Sequence, residues 1–148
     1  MTWLLDTNVV SEGARIHPNR NVVRWLSGQQ QDRLAISTVT LAELRHGAAT
    51  TLDEARRTML SRWIDSEVVP YFDQRTIPLT VDVLVDWMAH AKRLREARRT
   101  DDAAGMLIAA TARVHDLILV TRNVRDFADT GIVVYDPWND QTHRMDPP

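Results

Sequence analysis

Short apolar runs alternate with longer amphipathic segments along this chain. Runs with the length of buried strands occur at Trp3–Leu5, Leu34–Ser37 and Thr76–Leu79, and in the segments LILVT and GIVVYD. The segments between them carry apolar residues at helical spacing, as Val81, Leu84 and Met88 do. Strands separated by helices are typical of a parallel sheet covered on both faces. We therefore predict an α/β fold, an α/β/α sandwich with a central parallel sheet.

Several helix boundaries are also predicted. Thr40 and Glu43 have the spacing of a capping box, which places a helix start at Thr40. One long helix is predicted over Leu52–Val69, ending before the next proline. Another is predicted over Val81–Arg98.

Composition indicates one domain in a reducing compartment. The 148 residues fit a single domain, predicted over residues 1–138, followed by a C-terminal tail at 139–148 that we expect to be poorly ordered. The absence of Cys excludes disulfides and thiolate metal sites. The first apolar run ends at Asp6, too short for a signal peptide, and no run is long enough to cross a membrane. We expect a cytoplasmic protein with no membrane partner.

The basic residues are nearly all Arg, since Lys92 is the only Lys. A net charge of -2 excludes a polycation. Cationic residues are nevertheless concentrated at Lys92, Arg93, Arg95, Arg98 and Arg99. Because Arg suits bidentate contacts to phosphate, this cluster is interpreted either as a solvated helix end or as a contact to a nucleic-acid backbone.

Carboxylates follow several of the predicted strands. Asp6 directly follows the first strand, Glu43 lies early in the helix after the second, and Asp126 lies in the loop after LILVT. Asp101 and Asp102 open the helix that precedes LILVT. In open parallel sheets, sites form beyond the carboxyl ends of the strands, so we expect these acids to face one crevice.

Carboxylates held together repel one another unless protons or a divalent cation neutralise them. With no Cys and no HxxxH pair, an oxygen-lined site favours Mg²⁺ or Mn²⁺ over zinc, and such an ion serves phosphoryl transfer. Each acid also has a simpler explanation, as a helix cap, a capping-box partner, a surface ion pair or a complement to a helix dipole. A metal site is therefore predicted from the common placement of these acids and not from any one of them alone.

Four blocks of the sequence carry a more specific signal: LLDTNVVSE, ISTVTLAELRHG, LIAATARVHDLILVTRNVRDF and GIVVYDPW. Together, and in this order between Met1 and Trp138, they resemble the PIN-domain ribonuclease toxins of bacterial toxin–antitoxin modules, the VapC type. The resemblance implies a PIN-like α/β/α fold, endonucleolytic cleavage of RNA with Mg²⁺ or Mn²⁺, and inhibition by a cognate antitoxin. It also implies a homodimer or a toxin–antitoxin hetero-oligomer that reaches operator DNA only through the antitoxin.

The resemblance assigns roles position by position. The first, second and fourth acids of the family, which bind the catalytic metal, correspond to Asp6, Glu43 and Asp126. Polar neighbours of the site correspond to Asn8, Thr121 and Asn123. By charge and position, the candidates for contact with RNA are Arg45, Arg93, Arg98 and Arg99.

The third acid departs from the family pattern, which has an Asp three residues before the Ile of the I-A-A block. Gly105 occupies that position before Ile108, and it has no side chain to bind a metal. Asp102 lies one further turn toward the N-terminus, about 4.5 Å along the axis on the same helix face, and Asp101 lies beyond it. Two alternatives remain. One of these acids replaces the third ligand, and Asp102 is the better placed of the two; otherwise the site is impaired.

Two other functions remain open at this point. A phosphatase that resembles the haloacid-dehalogenase class would use Asp6 as a nucleophile, but Asn8 replaces the second Asp of its D-x-D motif and Lys92 is the only Lys. The other alternative is a catalytically impaired PIN-like protein that acts as an antitoxin- or operator-binding partner. Gly105 is the residue that motivates it.

Overall fold

The computed structural model describes residues 1–97, 99 and 102–147 and contains a six-stranded sheet flanked by helices. The strands are β1 (Trp3–Leu5), β2 (Leu34–Ser37), β3 (Thr76–Ile77), β4 (Ile118–Val120), β5 (Val133–Asp136) and β6 (Gln141–Arg144). The α-helices are α1 (Thr7–Ser11), α2 (Arg20–Ser27), α3 (Thr38–Ala49), α4 (Glu54–Trp63), α5 (Val69–Tyr71), α6 (Val81–Glu96) and α7 (Ala103–His115). Short 3₁₀ helices lie at Glu12–Ala14, Gln31–Arg33 and Val124–Phe127, and a π-helical turn spans Ile64–Val68.

The strand order in the sheet is β3-β2-β1-β4-β5-β6. Strands β1 to β5 run parallel, and β6 pairs antiparallel with β5. The chain builds outward from β1 through β2 to β3, then crosses to β4 and β5 on the other side. The direction of winding therefore reverses beside β1, which is where open parallel sheets form their sites. The predicted α/β fold is confirmed, with one antiparallel edge strand added to the parallel sheet.

Successive residues of the central strands pack on opposite faces of the sheet. Leu4 and Leu119 belong to a core that includes residues of α6 and α7. Leu5 and Val120 belong to a second core that includes residues of α1, α2 and α3. Because side chains of a strand alternate between faces, apolar residues at consecutive positions require helices on both sides. This requirement produces the sandwich that the hydrophobic pattern predicts.

The start of α3 differs from the predicted capping box. Ser37, the last residue of β2, is the N-cap, and its hydroxyl oxygen accepts a hydrogen bond from the Thr40 backbone N–H at 3.1 Å. The prediction that Thr40 caps this helix with Glu43 was wrong, because the helix begins as soon as the strand ends. The Glu43 carboxylate accepts a hydrogen bond from the Thr7 hydroxyl instead, at 2.7 Å.

The long helix predicted over Leu52–Val69 is observed as one continuous helical segment, in which α4 passes through the π-helical turn into α5, but it does not end before Pro70. α4 ends at Trp63, and the π-helical turn and α5 follow, with Pro70 inside α5. Pro70 is tolerated there because the π-helical turn before it already interrupts the regular hydrogen-bond pattern, as the bond from the Val69 N–H to the Ile64 carbonyl shows. α6 ends at Glu96, whereas the predicted end at Arg98 lies outside the described residues. Among the described helices, none is long and apolar enough to span a membrane.

The C-terminal segment differs from the expectation of a poorly ordered tail at 139–148. Gln141–Arg144 forms β6, which pairs with all four residues of β5. The turn between these strands is held by Asp136, which accepts hydrogen bonds from the Trp138 backbone N–H and the Asn139 side-chain amide, each at 2.8 Å. The ordered domain therefore continues past the predicted boundary at residue 138.

Candidate metal centre

A cavity of about 800 Å³ opens beyond the carboxyl ends of β1 and β4. Its walls include four acids predicted from the sequence: Asp6, Glu43, Asp102 and Asp126. The predicted polar neighbours Asn8 and Asn123 also line it. The structure thus brings acids from four separate segments of the chain to the point where the strand order reverses.

Asp6 is the most enclosed of these acids, with 7 % of its surface exposed. It is the N-cap of α1, and its Oδ1 accepts the Thr7 backbone N–H at 2.8 Å. Its Oδ2 accepts the Thr121 hydroxyl at 2.7 Å and the Asn8 side-chain amide at 3.3 Å. Capping therefore occupies one oxygen of this carboxylate, while two neutral donors fix the orientation of the other.

Asn8, on α1, joins this helix to the loop that follows β4. Its Nδ2 donates to Thr121 Oγ1 at 3.1 Å, and its Oδ1 accepts the Arg122 backbone N–H at 3.1 Å. Thr121 Oγ1 also accepts the Asn123 backbone N–H at 3.0 Å. The Asn8 side chain thus holds the loop after β4 from the outside, and the Thr121 hydroxyl holds the same loop from within, so this loop keeps a fixed position beside the cavity.

Glu43 is connected to Asp6 through Thr7. The Thr7 hydroxyl donates to Glu43 Oε1 at 2.7 Å, while the Thr7 backbone N–H donates to Asp6. Thr7 was not among the residues predicted to belong to the site. Its signal was present in the DTN triplet, where Thr7 lies between two residues assigned to the site.

Asp126 lies on the 3₁₀ helix after β4 and is exposed to the cavity. The neighbouring Phe127 is buried and anchors this short helix in the core. The charge of Asp126 raises the pKa of Asp6, so the two carboxylates are close enough to interact. Within the described residues, Asp126 forms no ion pair with Arg122 or Arg125, which was the simpler explanation for its presence.

Asp102 compensates in position for the missing side chain of Gly105. It is the N-cap of α7, and its Oδ2 accepts the Gly105 backbone N–H at 3.0 Å. A Cβ added to Gly105 would lie 3.4 Å from the same oxygen. The carboxylate of Asp102 therefore lies beside the point from which a side chain at residue 105 would project. Asp101, the other candidate, lies outside the described residues.

Burial and mutual repulsion raise the pKa values of two of these acids. Burial is the largest cause that raises the pKa of Asp6 above its ordinary value, and the charge of Asp126 adds to it, against the opposing effect of three hydrogen bonds. Burial is also the largest cause that raises the pKa of Glu43, with smaller contributions from Asp6 and Asp102. The folded protein thus makes the ionised forms of Asp6 and Glu43 less favourable than they are in water.

Acidification is expected to stabilise the site in metal-free protein. Because the pKa values of Asp6 and Glu43 are raised on folding, their contribution to the free energy of unfolding is full below the unfolded values of about 4 and is lost as the pH rises through the folded values. The measurement is urea unfolding of the parent and of Asp6→Asn in EDTA, from about pH 4 to about pH 8. The stability of the parent relative to the variant should fall as the pH rises, and a constant difference would contradict the pKa assignment.

The donors along the cavity wall are oxygen ligands of the kind that Mg²⁺ and Mn²⁺ prefer. No three carboxylate, imidazole or thiol side chains in the described part of the chain lie close enough together to hold a metal ion by themselves. Mg²⁺ usually keeps several waters and binds through only one or two carboxylates, so wider spacing does not conflict with it. Burial raises the pKa of Asp6, and a bound cation would stabilise the ionised form of this carboxylate. The residues present fit a hydrated divalent ion.

The Arg residues predicted to contact RNA are not among the residues that line the cavity. Two of them form surface ion pairs, Arg45 with Asp65 and Arg99 with Asp129. Arg93 is exposed on α6, and Arg98 lies outside the described residues. The Arg residues that do line the cavity, none of which was selected from the sequence, are Arg15, Arg56 and Arg122.

Comparison with known proteins agrees with this fold. The sequence matches the PIN domain over residues 3–133. The chain therefore belongs to the PIN-domain family, among the toxins of the VapC type.

Individual relatives match almost the whole chain. Toxin FitB of Neisseria gonorrhoeae is 34% identical over 137 residues, which cover 93% of this chain and 99% of FitB. VapC ribonuclease Y4jK of Sinorhizobium fredii is 35% identical over 138 residues, which cover 91% of this chain and 96% of the relative. The crystal structure of FitAcB from Neisseria gonorrhoeae matches with a TM-score of 0.85 at 33% identity, covering 93% of this chain and 99% of that chain.

Proposed function

We propose that this protein is a metal-dependent endoribonuclease, the toxin of a type II toxin–antitoxin pair, which hydrolyses RNA phosphodiesters. The observation that carries the proposal is the meeting of four acids on one cavity at the switch point of the sheet. The raised pKa values of Asp6 and Glu43 add support, because perturbed carboxylates cluster at functional sites. The names of its relatives, Toxin FitB and VapC ribonuclease Y4jK, support the same class of function.

The acids have distinct tasks in this proposal. Asp6, Glu43, Asp102 and Asp126 hold Mg²⁺ or Mn²⁺, which when bound activates water and offsets the charge of the phosphate. Asp6 needs no reorientation, since Thr121 and Asn8 already fix its Oδ2. Thr7 orients Glu43 through Oε1, which leaves Oε2 for a cation. Asp126 remains exposed, so it is accessible from the open side of the cavity.

We also infer that a cognate antitoxin controls the activity. Similar solved structures include FitAcB and FitAB, the latter bound to an IR36 DNA fragment at 31% identity and a TM-score of 0.86. By this likeness the chain forms a homodimer or a toxin–antitoxin hetero-oligomer. Its net charge of -2 gives it little general attraction for DNA, which fits contact with operator DNA through the antitoxin alone.

Purified protein is expected to cleave single-stranded RNA in the presence of Mg²⁺ or Mn²⁺ and to stop when EDTA is added in excess. The physical reason is that the acids of the cavity cannot activate water or offset the charge of the phosphate unless a cation is bound. Gel analysis of labelled RNA over time measures the loss of full-length substrate. Cleavage that continues undiminished in EDTA would contradict a metal-dependent mechanism.

Gly105 favours one alternative, a catalytically impaired PIN-like protein that binds an antitoxin or its operator complex. This alternative predicts intact RNA with either metal. It also predicts that Gly105→Asp, which restores the family's third acid, creates cleavage that the parent lacks. Cleavage by the parent excludes it.

A further inference from the structure

Arg122 and Trp138 form a wall of the cavity beside the acids. The Arg122 guanidinium carbon lies 5.6 Å from the centre of the Trp138 ring, within the range of a cation–π contact. The two residues come from the loops after β4 and β5, which are neighbours in the sheet. We refer to this pair as the Arg122–Trp138 wall. It combines a positive charge with an aromatic surface beside the four acids of the cavity.

The backbone of Arg122 is linked to Asp6 through Asn8, while its guanidinium contacts Trp138 and remains exposed to a ligand. Its N–H donates to Asn8 Oδ1, and Asn8 donates in turn to Asp6 Oδ2. Only one side chain therefore separates the Arg122 backbone from the most buried acid. No carboxylate of the described residues pairs with the Arg122 guanidinium, and its side chain is exposed.

Trp138 is held rigidly and is half-buried. Its backbone N–H donates to Asp136 Oδ1 at 2.8 Å, and its carbonyl oxygen accepts the Asn21 side-chain amide at 2.9 Å. Part of the indole packs against the core on the α1 side of the sheet. Because both backbone groups of Trp138 are hydrogen-bonded and its ring is partly packed, the residue loses little entropy when a flat partner stacks on the ring.

We propose that the Arg122–Trp138 wall is a nucleotide subsite, which stacks one unpaired base of single-stranded RNA and holds an adjacent phosphate. Aromatic and Arg surfaces are the usual platforms for unstacked RNA bases. The acids repel a phosphate, so a positively charged side chain beside them, such as Arg122, is needed to draw the RNA backbone toward the cavity. The inference rests on the proposed ribonuclease function and adds to it the residues that position the substrate.

The test measures RNA binding rather than cleavage. All proteins carry Asp6→Asn, which prevents cleavage and lowers the repulsion of phosphate. The probe is a fluorescein-labelled single-stranded RNA of about eight nucleotides, a usual site size for single strands. Fluorescence anisotropy gives its affinity without added metal, and circular dichroism and thermal unfolding check that each variant folds.

Trp138→Leu is expected to weaken binding about tenfold, while Trp138→Phe stays within about threefold, because a smaller ring still stacks. Arg122→Ala is expected to weaken binding and to reduce the slope of log affinity against log salt by about 0.7, the loss of one phosphate contact. The matched control is Arg125→Ala, since Arg125 is exposed on the same loop but does not line the cavity. Its affinity should equal that of the background protein.

RNAs with one abasic nucleotide at each position in turn separate stacking from a general structural effect. If Trp138 stacks one base, the effect of Trp138→Leu disappears when that base is removed and persists at the other positions. An equal loss at every position, or no loss in Trp138→Leu, would overturn the subsite. If the unsubstituted chain cleaves no RNA but the background protein binds it with this pattern, the ribonuclease proposal fails and the subsite stands. If the unsubstituted chain cleaves RNA but the background protein binds none, the subsite fails and the ribonuclease proposal stands.

Discussion

Asp6→Asn is expected to lower the rate of RNA cleavage about a thousandfold while leaving the protein folded. The substitution keeps one of the two side-chain oxygens that accept hydrogen bonds at residue 6. The bonds from Asn8 to Thr121 and Arg122 do not involve residue 6, so they keep α1 joined to the loop after β4. The substitution removes the buried charge that we propose binds the cation. Losing several kcal/mol of charge stabilisation in the transition state corresponds to about three orders of magnitude in rate.

The matched control for this experiment is Asp82→Asn. Asp82 is an exposed residue in the first turn of α6 and does not line the cavity, so the change in charge is the same without the change in site. It should cleave RNA at the parental rate. Retention of cleavage within about threefold by folded Asp6→Asn would mean that this acid does not hold the catalytic ion.

Asp102→Asn is expected to reduce Mn²⁺ affinity and RNA cleavage about 10- to 100-fold at nearly constant stability. Asn caps helices about as well as Asp, so the bond to the Gly105 N–H is kept and only the charge is lost. Asp102→Ala should show the same loss of activity and, in addition, lose about 1 kcal/mol of stability with the cap. Titration of Mn²⁺ against cleavage, together with urea unfolding, measures both effects.

Two further variants decide whether Asp102 replaces the missing third acid. Asp101→Asn tests the neighbouring carboxylate and should leave Mn²⁺ affinity unchanged. Adding Gly105→Asp to Asp102→Asn returns a carboxylate to the family position and should restore much of the activity, with the Cβ 3.4 Å from the side chain at 102. Parental cleavage and Mn²⁺ dependence in Asp102→Asn would show that the site does not use this residue.

The layered fold was predictable because its signal is repeated in several segments. Residues such as Leu4 and Leu5 are apolar at adjacent positions, which only a strand covered on both faces requires. β6 escaped prediction because Gln141–Arg144 is polar and largely exposed, so it has no hydrophobic pattern. Its order comes from pairing with β5 and from the Asp136 turn, which depend on the assembled sheet.

The site was partly predictable for a similar reason. Strand ends place Asp6 and Asp126 near each other in any parallel sheet of this kind, so position in sequence implies proximity. The pairing of Thr7 with Glu43 depends on how α1 and α3 pack, which no local pattern encodes. The capping-box spacing of Thr40 and Glu43 suggested a structural role for Glu43. Ser37 fills that role, which leaves the Glu43 side chain at the cavity.

The reversed direction of β6 determines where additional polypeptide can be attached. Arg144 pairs with Val133 at the beginning of β5. The chain therefore returns to the end of the sheet at which the parallel strands begin, where Trp3 starts β1. A purification tag, fluorophore or fusion partner joined at either terminus would emerge on the side opposite the acids. Immobilised protein would then present its cavity outward, toward the solution that contains the RNA.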